Sequence, residues 1–233
     1  MEAFKRTKLL IGQDGLDILK QSSVLIVGLG GVGSYATEAI VRCGVGNITI
    51  VDYDYIQQSN LNRQIPALTS TVGKLKTEVM ANRILDINPF VNLKVINDSY
   101  NEKTSKDILT RYDYTIDAID SLPDKIHLIK TCINKNQPIV SSMGMANRLD
   151  PLKLKVEDIS KTSCCPMARK IRKELRILGV EKGLKVVFSE EIPEKLKEED
   201  SDTKLGSISF VPSTAGLILA SVAINNILAN GEL

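Results

Sequence analysis

The chain is poor in the residue types that build metal and redox centres. It has four cysteines, at 43, 132, 164 and 165, and one histidine, His127, in 233 residues. No two cysteines are spaced C-x-x-C, so neither a tetrahedral zinc site nor a dithiol redox motif is supported, and no zinc is expected. Reduced thiols fit a cytoplasmic protein. An excess of one charge is also missing. Thirty Lys and Arg against 28 Asp and Glu leave +2, which does not mark a nucleic-acid binder, although a local basic cluster can. Met1–Lys8 is polar and basic with no apolar core behind it, so no signal peptide is expected. No internal repeat is visible. One apolar run, Ile208–Leu228, is long enough to suggest a bilayer span. Pro212, Ser213, Thr214 and the pair Asn225–Asn226 interrupt it, which favours a buried core helix over a membrane anchor.

What is present centres on Val24–Gly33, VLIVGLGGVG. A run of β-branched and aliphatic residues reads as a strand covered on both faces. Gly28, Gly30 and Gly33 match G-x-G-x-x-G, and Ser34–Cys43 continues with helical residues. In such a turn the first glycine permits a tight bend and the second lets the backbone approach a phosphate. The third lets helix and strand pack closely. The helix start, with its unpaired N–H groups, suits an anion. Asn47–Asp52 is a second apolar strand ending in an acid, where a ribose-binding carboxylate is expected. By itself this motif says nucleotide or dinucleotide, and a nicotinamide-dependent oxidoreductase stays open at this point.

Along the chain, 6–19 reads as one or two short helices broken at Gly12 and Gly15. The polar segment 53–70 is long for a loop and follows the carboxyl end of a strand, where doubly wound sheets bind ligands. Helices are predicted at 72–86, 103–109 and 123–135, and strands at 93–97, 114–118 and 138–142. This alternation over 24–142 predicts an α/β fold with a doubly wound, mainly parallel sheet. The whole chain, 1–233, reads as one domain: a nucleotide-binding core at 6–145 and a smaller C-terminal extension at 146–233. The extension holds a possible strand at 152–156 and a basic helix at about 166–182. A charged, mobile loop is expected at about 190–204, a strand at 207–211, and a buried last helix at about 213–229.

Two cations and several carboxylates are predicted to meet at one sheet edge. They lie in D-x-D at 52–54, SNLNRQ at 59–64, VGKLK at 72–76 and DAIDS at 117–121. Triphosphate chemistry calls for such a set, since Arg and Lys stabilise polyphosphate charge and a carboxylate holds Mg²⁺. Taken singly, Asp117 reads as a strand-end or capping acid, and Asp120 as either an N-cap or a metal ligand.

With GLGGVG at 28–33, these motifs resemble the ThiF/MoeB/ubiquitin-activating superfamily. The resemblance implies an adenylating enzyme in which a carboxylate attacks the α-phosphate of ATP. It implies ATP binding by Gly28, Gly30, Gly31 and Gly33, with Asp52 on the ribose and Asp54 beside it. Asn60, Arg63 and Lys76 would meet the phosphates, Gln64 would be a further ATP contact, and Asp120 would bind Mg²⁺. Arg63, Lys76 and Asp120 are the implied catalytic residues. They are joined by Arg6, which resembles an N-terminal arginine passed into the neighbouring site of a homodimer.

FKRTKLLIG at 4–12, NRQIPAL at 62–68 and DISKTSCCPMARKIRKEL at 158–175 are similar to the TcdA (CsdL) branch, the tRNA threonylcarbamoyladenosine dehydratases. That likeness implies ATP-dependent cyclisation of the threonyl carboxylate on the modified adenosine beside the anticodon. The implied partner is tRNA carrying that nucleoside, with a cysteine desulfurase or sulfur acceptor as a further possible one. Arg169, Lys170, Arg172, Lys173 and Arg176 are the candidate tRNA contacts. Cys164 and Cys165 sit in a basic setting that could lower a thiol pKa, but no histidine lies near them in sequence, which favours a structural role. The alternative is a ThiF-like enzyme adenylating the C-terminus of a sulfur-carrier or ubiquitin-like protein.

Overall fold

In the computed structural model, strand β1 (Ser23–Val27) is buried on both faces, as its unbroken aliphatic run requires. Val24 and Ile26 enter one apolar core, and Leu25 and Val27 enter the other. The structure describes residues 2–194 and 205–231. Beside β1 lie β2 (Asn47–Val51), β3 (Asn92–Ile96), β4 (Tyr114–Asp117) and β5 (Ile139–Ser142), with β6 (Leu154–Asp158) and β7 (Lys185–Ser189) completing the sheet. Its order is β3-β2-β1-β4-β5-β7-β6. Every pairing is parallel except β6 with β7, which puts an antiparallel strand at one edge.

Helices cover both faces. The first core joins α2 (Gly33–Cys43) and α3 (Lys76–Ile87) to α7 (Phe210–Asn230) and the end of α1 (Lys5–Gln21). The second core packs α5 (Leu122–Asn134), α6 (Pro166–Ile177) and the short α4 (Ser105–Ile108) on the other side. The expected α/β class and doubly wound sheet are therefore present. Within the C-terminal extension, β6 and β7 continue the same sheet. Strand order reverses at β1, with β2 on one side and β4 on the other, so the crevice at the carboxyl ends opens there.

Several elements differ from the sequence reading. The expected helix at 72–86 begins only at Lys76. Gly73 takes φ +87°, and Tyr55 bridges Leu75, so 72–75 is held as a turn. The basic helix ends at Ile177 rather than near 182. Gly179, at φ +77°, stops it, and the chain then enters β7. That strand was hidden because its short VVF run follows a lysine-rich stretch. The strand expected at 207–211 is absent. Phe210 and Val211 instead open α7, where Pro212 is tolerated in the first turn because its missing N–H would have no partner. Of the expected mobile loop, 195–204 lies outside the described residues.

The early helix bends at Gly12, at φ +76°, which accounts for its two-part pattern. The apolar α7 is the one helix among the described residues long enough to cross a membrane. It buries Val211, Ala215, Leu219, Ala223 and Ile227 in the first core, as expected of a core helix.

Candidate active site

The glycine turn is built by steric necessity. Gly28 has φ +93°, and a Cβ there would come within 2.6 Å of the Ala118 carbonyl oxygen. A Cβ on Gly33 would fall 1.7 Å from the Gly28 oxygen, so the first turn of α2 sits directly on the bend. Gly30 differs, because its nearest neighbour would be Gln64 Nε2 at 3.9 Å. Its surface is open to a ligand, as the phosphate-approach role requires. Gly31 is covered by the Arg63 stem and Pro212, each 3.3 Å from a Cβ built there.

Asp52, at the end of β2, ties this turn to the neighbouring strand. Its Oδ2 accepts from Leu29 N at 2.6 Å and its Oδ1 from Asp54 N at 2.8 Å. Each oxygen keeps a lone pair for a further donor such as a ribose hydroxyl. Burial pushes the Asp52 carboxyl above the ordinary aspartate range, outweighing the nearby Lys76 ammonium and the two backbone N–H groups.

A cavity of about 920 Å³ opens at this crevice. Gly28, Gly30 and Gly31 line it together with Asp52, Asp54, Asn60, Arg63, Gln64, Lys76 and Asp120. The residues expected to meet at one rim do meet there, although they come from four separate segments. Gly33 alone of the nucleotide set does not line the cavity, consistent with its packing role.

Within the cavity, Asn60 is buried, and its Oδ1 accepts from Gln57 N at 3.1 Å, fixing the polar loop. Arg63 Nη1 donates to Ser59 O and Asn62 Oδ1, both at 2.8 Å. Gln64 is buried with no partner on its Oε1 among the described residues. Lys76 extends from the first turn of α3, 5 % exposed, and donates to Asp54 Oδ2 at 2.6 Å.

Asp117 confirms the strand-end reading and shows what it does there. It is fully buried and accepts from Lys125 Nζ at 2.7 Å, Ser141 Oγ at 2.6 Å and Ile119 N at 3.1 Å. The carboxylate thereby shapes the turn that carries Asp120. Lys125 and Ser141 escaped the sequence reading, since a lysine in an amphipathic helix gives no sign of burial. Asp120 is exposed on that turn with no hydrogen bond among the described residues, so its carboxylate is available to a cation. Tyr53, exposed at the cavity, also went unnoticed. The charge of Asp54, some desolvation, and the charges of Asp120, Asp52 and Asp124 push its phenol up.

The remaining expected residues lie elsewhere. Arg6 is exposed on α1 and does not line its own chain's cavity. Arg169, Lys170, Lys173 and Arg176 are exposed on α6. Arg172 is not available in the same way: it donates to Thr162 O at 3.0 Å and to Thr162 Oγ1, tying α6 to the preceding segment. Cys164 is exposed at φ 53°, whereas Cys165 is buried at the N-cap of α6 and lines the cavity. Residues 143–148 after β5 complete the wall, a contribution with no motif to announce it.

Fold and site together define a doubly wound nucleotide-binding protein whose phosphate turn is flanked by paired cations and a free carboxylate. The chain matches the ThiF family over residues 4–233, and it belongs to that family. It is 41 % identical to the tRNA threonylcarbamoyladenosine dehydratase of Bacillus subtilis, over 100 % of this chain and 97 % of that one. Identity to the Escherichia coli dehydratase is 34 %, over 98 % and 94 % of the two chains. The crystal structure of that E. coli enzyme, TcdA, in complex with ATP aligns with a TM-score of 0.92 at 35 % identity, covering 99 % of this chain and 96 % of the other. Its complex with AMP aligns at 0.93.

Proposed function

We propose that this chain is an ATP-dependent tRNA threonylcarbamoyladenosine dehydratase. The observation that carries the reading is the assembly of Asp52, Arg63, Lys76 and Asp120 around the glycine turn in one cavity. Its setting is a chain similar to such enzymes over its full length. A threonyl carboxylate oxygen attacks the α-phosphorus of ATP, the bond to the bridging oxygen breaks, and pyrophosphate leaves. A nitrogen or oxygen of the same side chain then attacks the acyl carbon and gives up its proton as AMP departs. The substrate loses the elements of one water. Because the second step is intramolecular, high effective molarity replaces a protein nucleophile.

Asp52 holds the ribose, while Asn60, Gln64, Arg63 and Lys76 receive the phosphates, the two cations stabilising charge as pyrophosphate departs. No group of three or more His, Cys, Asp or Glu able to hold a metal occurs among the described residues. Mg²⁺ takes one or two carboxylates and completes its shell with phosphate oxygens and water. Asp120 is the residue that would hold it, and the ion would neutralise polyphosphate charge.

The exposed cations of α6 are the surface for tRNA phosphates, and α6 begins at the cavity wall with Cys165 and Pro166. A homodimer is supported by Leu9 and Leu10, 82 % and 87 % exposed on α1 close to Arg6. Arg6 would complete the partner copy's cavity. A cytoplasmic location follows from the tRNA substrate.

Pyrophosphate exchange into ATP tests the reading against the activation of a carrier protein. Exchange stimulated by tRNA carrying threonylcarbamoyladenosine is expected. Exchange stimulated only by a diglycine-tailed protein would overturn it.

A further inference from the structure

The order of loops along the sheet rim separates the cavity into two regions. Asp52 follows β2, the glycine turn follows β1, Asp120 follows β4, and residues 143–148 follow β5. Strand β5 stands three strand spacings from β2, roughly 14 Å along the rim. A nucleotide with its ribose on Asp52 and its phosphates between the glycine turn and Asp120 leaves the β5 end of the cavity for the second substrate.

Arg148 lines that end. It is 3 % exposed, and its Nη1 is spent on two backbone carbonyls, Gly144 O at 2.6 Å and Ala146 O at 2.9 Å. Its Nε and Nη2 are buried with no hydrogen-bond partner among the described residues. Buried donors of a cation left unpaired are costly, so their retention points to an acceptor that the described residues do not supply. The Nε–Nη2 edge of a guanidinium is a two-donor fork that matches a carboxylate. With Nη1 pinned, that edge is held ready. The start of α6 forms the adjoining wall and adds the positive end of a helix dipole.

We infer that Arg148 is the residue that grips the carboxylate of the second substrate, in two-point fashion, before it is adenylated. The inference rests on the dehydratase reading and identifies that carboxylate as the threonyl one. Such a group ends a flexible side chain and can reach a buried guanidinium. A backbone phosphodiester, flanked by two sugars, belongs at the exposed cations of α6. Charge leaves the carboxylate as its bond to phosphorus forms, so the contact holds the ground state more than the transition state. Its loss raises KM for tRNA more than it lowers kcat.

The test compares wild type, Arg148→Gln and Arg148→Lys for binding to one tRNA with and without the threonylcarbamoyl group, and for ATP affinity. Wild type is expected to prefer the modified tRNA. Arg148→Gln should lose about 10- to 100-fold on that tRNA, the loss expected for charge-assisted hydrogen bonds. It should bind unmodified tRNA and ATP as before. Arg148→Lys, which keeps the charge and can still reach a loop carbonyl, should recover part of the preference and carries the test if the glutamine variant does not fold. An undiminished preference in both variants overturns the inference while leaving the dehydratase reading intact. So does an equal loss on both tRNAs, which would assign the guanidinium to the tRNA backbone, or a loss confined to ATP. A wild type with no preference overturns that reading and the inference with it.

Discussion

Lys76 Nζ lies 2.6 Å from Asp54 Oδ2, the lysine side chain 6 % exposed and the aspartate 47 %. The cation is the sheltered member of the pair and the anion the wetted one. Asp54 keeps its water, and the buried Asp52, which loses a neighbouring cation, still accepts from the Leu29 and Asp54 N–H groups, so removal of Lys76 leaves neither carboxylate without a partner. Lys76→Met should therefore slow adenylation far more than it destabilises the fold. We expect pyrophosphate exchange to fall about 100- to 1,000-fold, the range for removing one transition-state charge stabiliser. Thermal unfolding should move little. A large drop in Tm with unchanged exchange would contradict the assignment.

The pair Lys125–Asp117 behaves in the opposite way, since both side chains are fully buried. Lys125→Met leaves an uncompensated carboxylate beneath the turn that carries Asp120. Removing one partner of a buried pair costs about 3–5 kcal/mol, and denaturant unfolding measures it. The double change Lys125→Met with Asp117→Asn should recover part of that loss, because no charge is then left stranded.

Two glycines in the same turn should respond differently. Gly33→Ala places a methyl group 1.7 Å from the Gly28 oxygen and must displace backbone, so the protein should be strongly destabilised. Gly30→Ala meets nothing closer than 3.9 Å and should fold normally. Its methyl group instead occupies the approach to the phosphates, so ATP affinity should fall about tenfold or more, roughly 1.4 kcal/mol. Calorimetric titration with ATP distinguishes the two.

Nucleotide affinity should also depend on pH through Asp52. Burial holds its carboxyl above the ordinary aspartate range, so it gains a proton at a higher pH than an exposed aspartate does. Protonation removes the ribose acceptor, and affinity should decline as pH falls through that raised value. The fold is not lost with it. A carboxyl whose pKa is higher in the folded state binds protons preferentially there, so acidification favours folding as far as this group is concerned. Asp52→Asn should bind more weakly at neutral pH and flatten the acid limb.

The parts legible in the sequence were those with local causes. A glycine turn between an aliphatic strand and a helix is specified by neighbours in the chain, as is the acid that ends β2. The polar motifs at 59–64, 72–76 and 117–121 could be identified as a set, and the structure brings them to one cavity. What stayed hidden depended on tertiary placement. Lys125 and Arg148 look like surface cations until packing buries them. Arg172 shares a helix with four exposed cations, and only its contact with Thr162 sets it apart. Strand β7 follows a lysine-rich stretch that masks its short apolar run, and its place is fixed by pairing with β5 and β6. The segment at 207–211 carries the same apolar residues as a strand, but Phe210 and Val211 open α7, where Val211 is buried in the first core.

The most direct measurement is mass spectrometry of nucleosides from tRNA incubated with the protein, ATP and Mg²⁺. The account predicts that threonylcarbamoyladenosine loses the mass of one water, with AMP formed in step, and that omission of ATP abolishes the change. An unaltered nucleoside in a reaction where the protein binds both ATP and tRNA would contradict it.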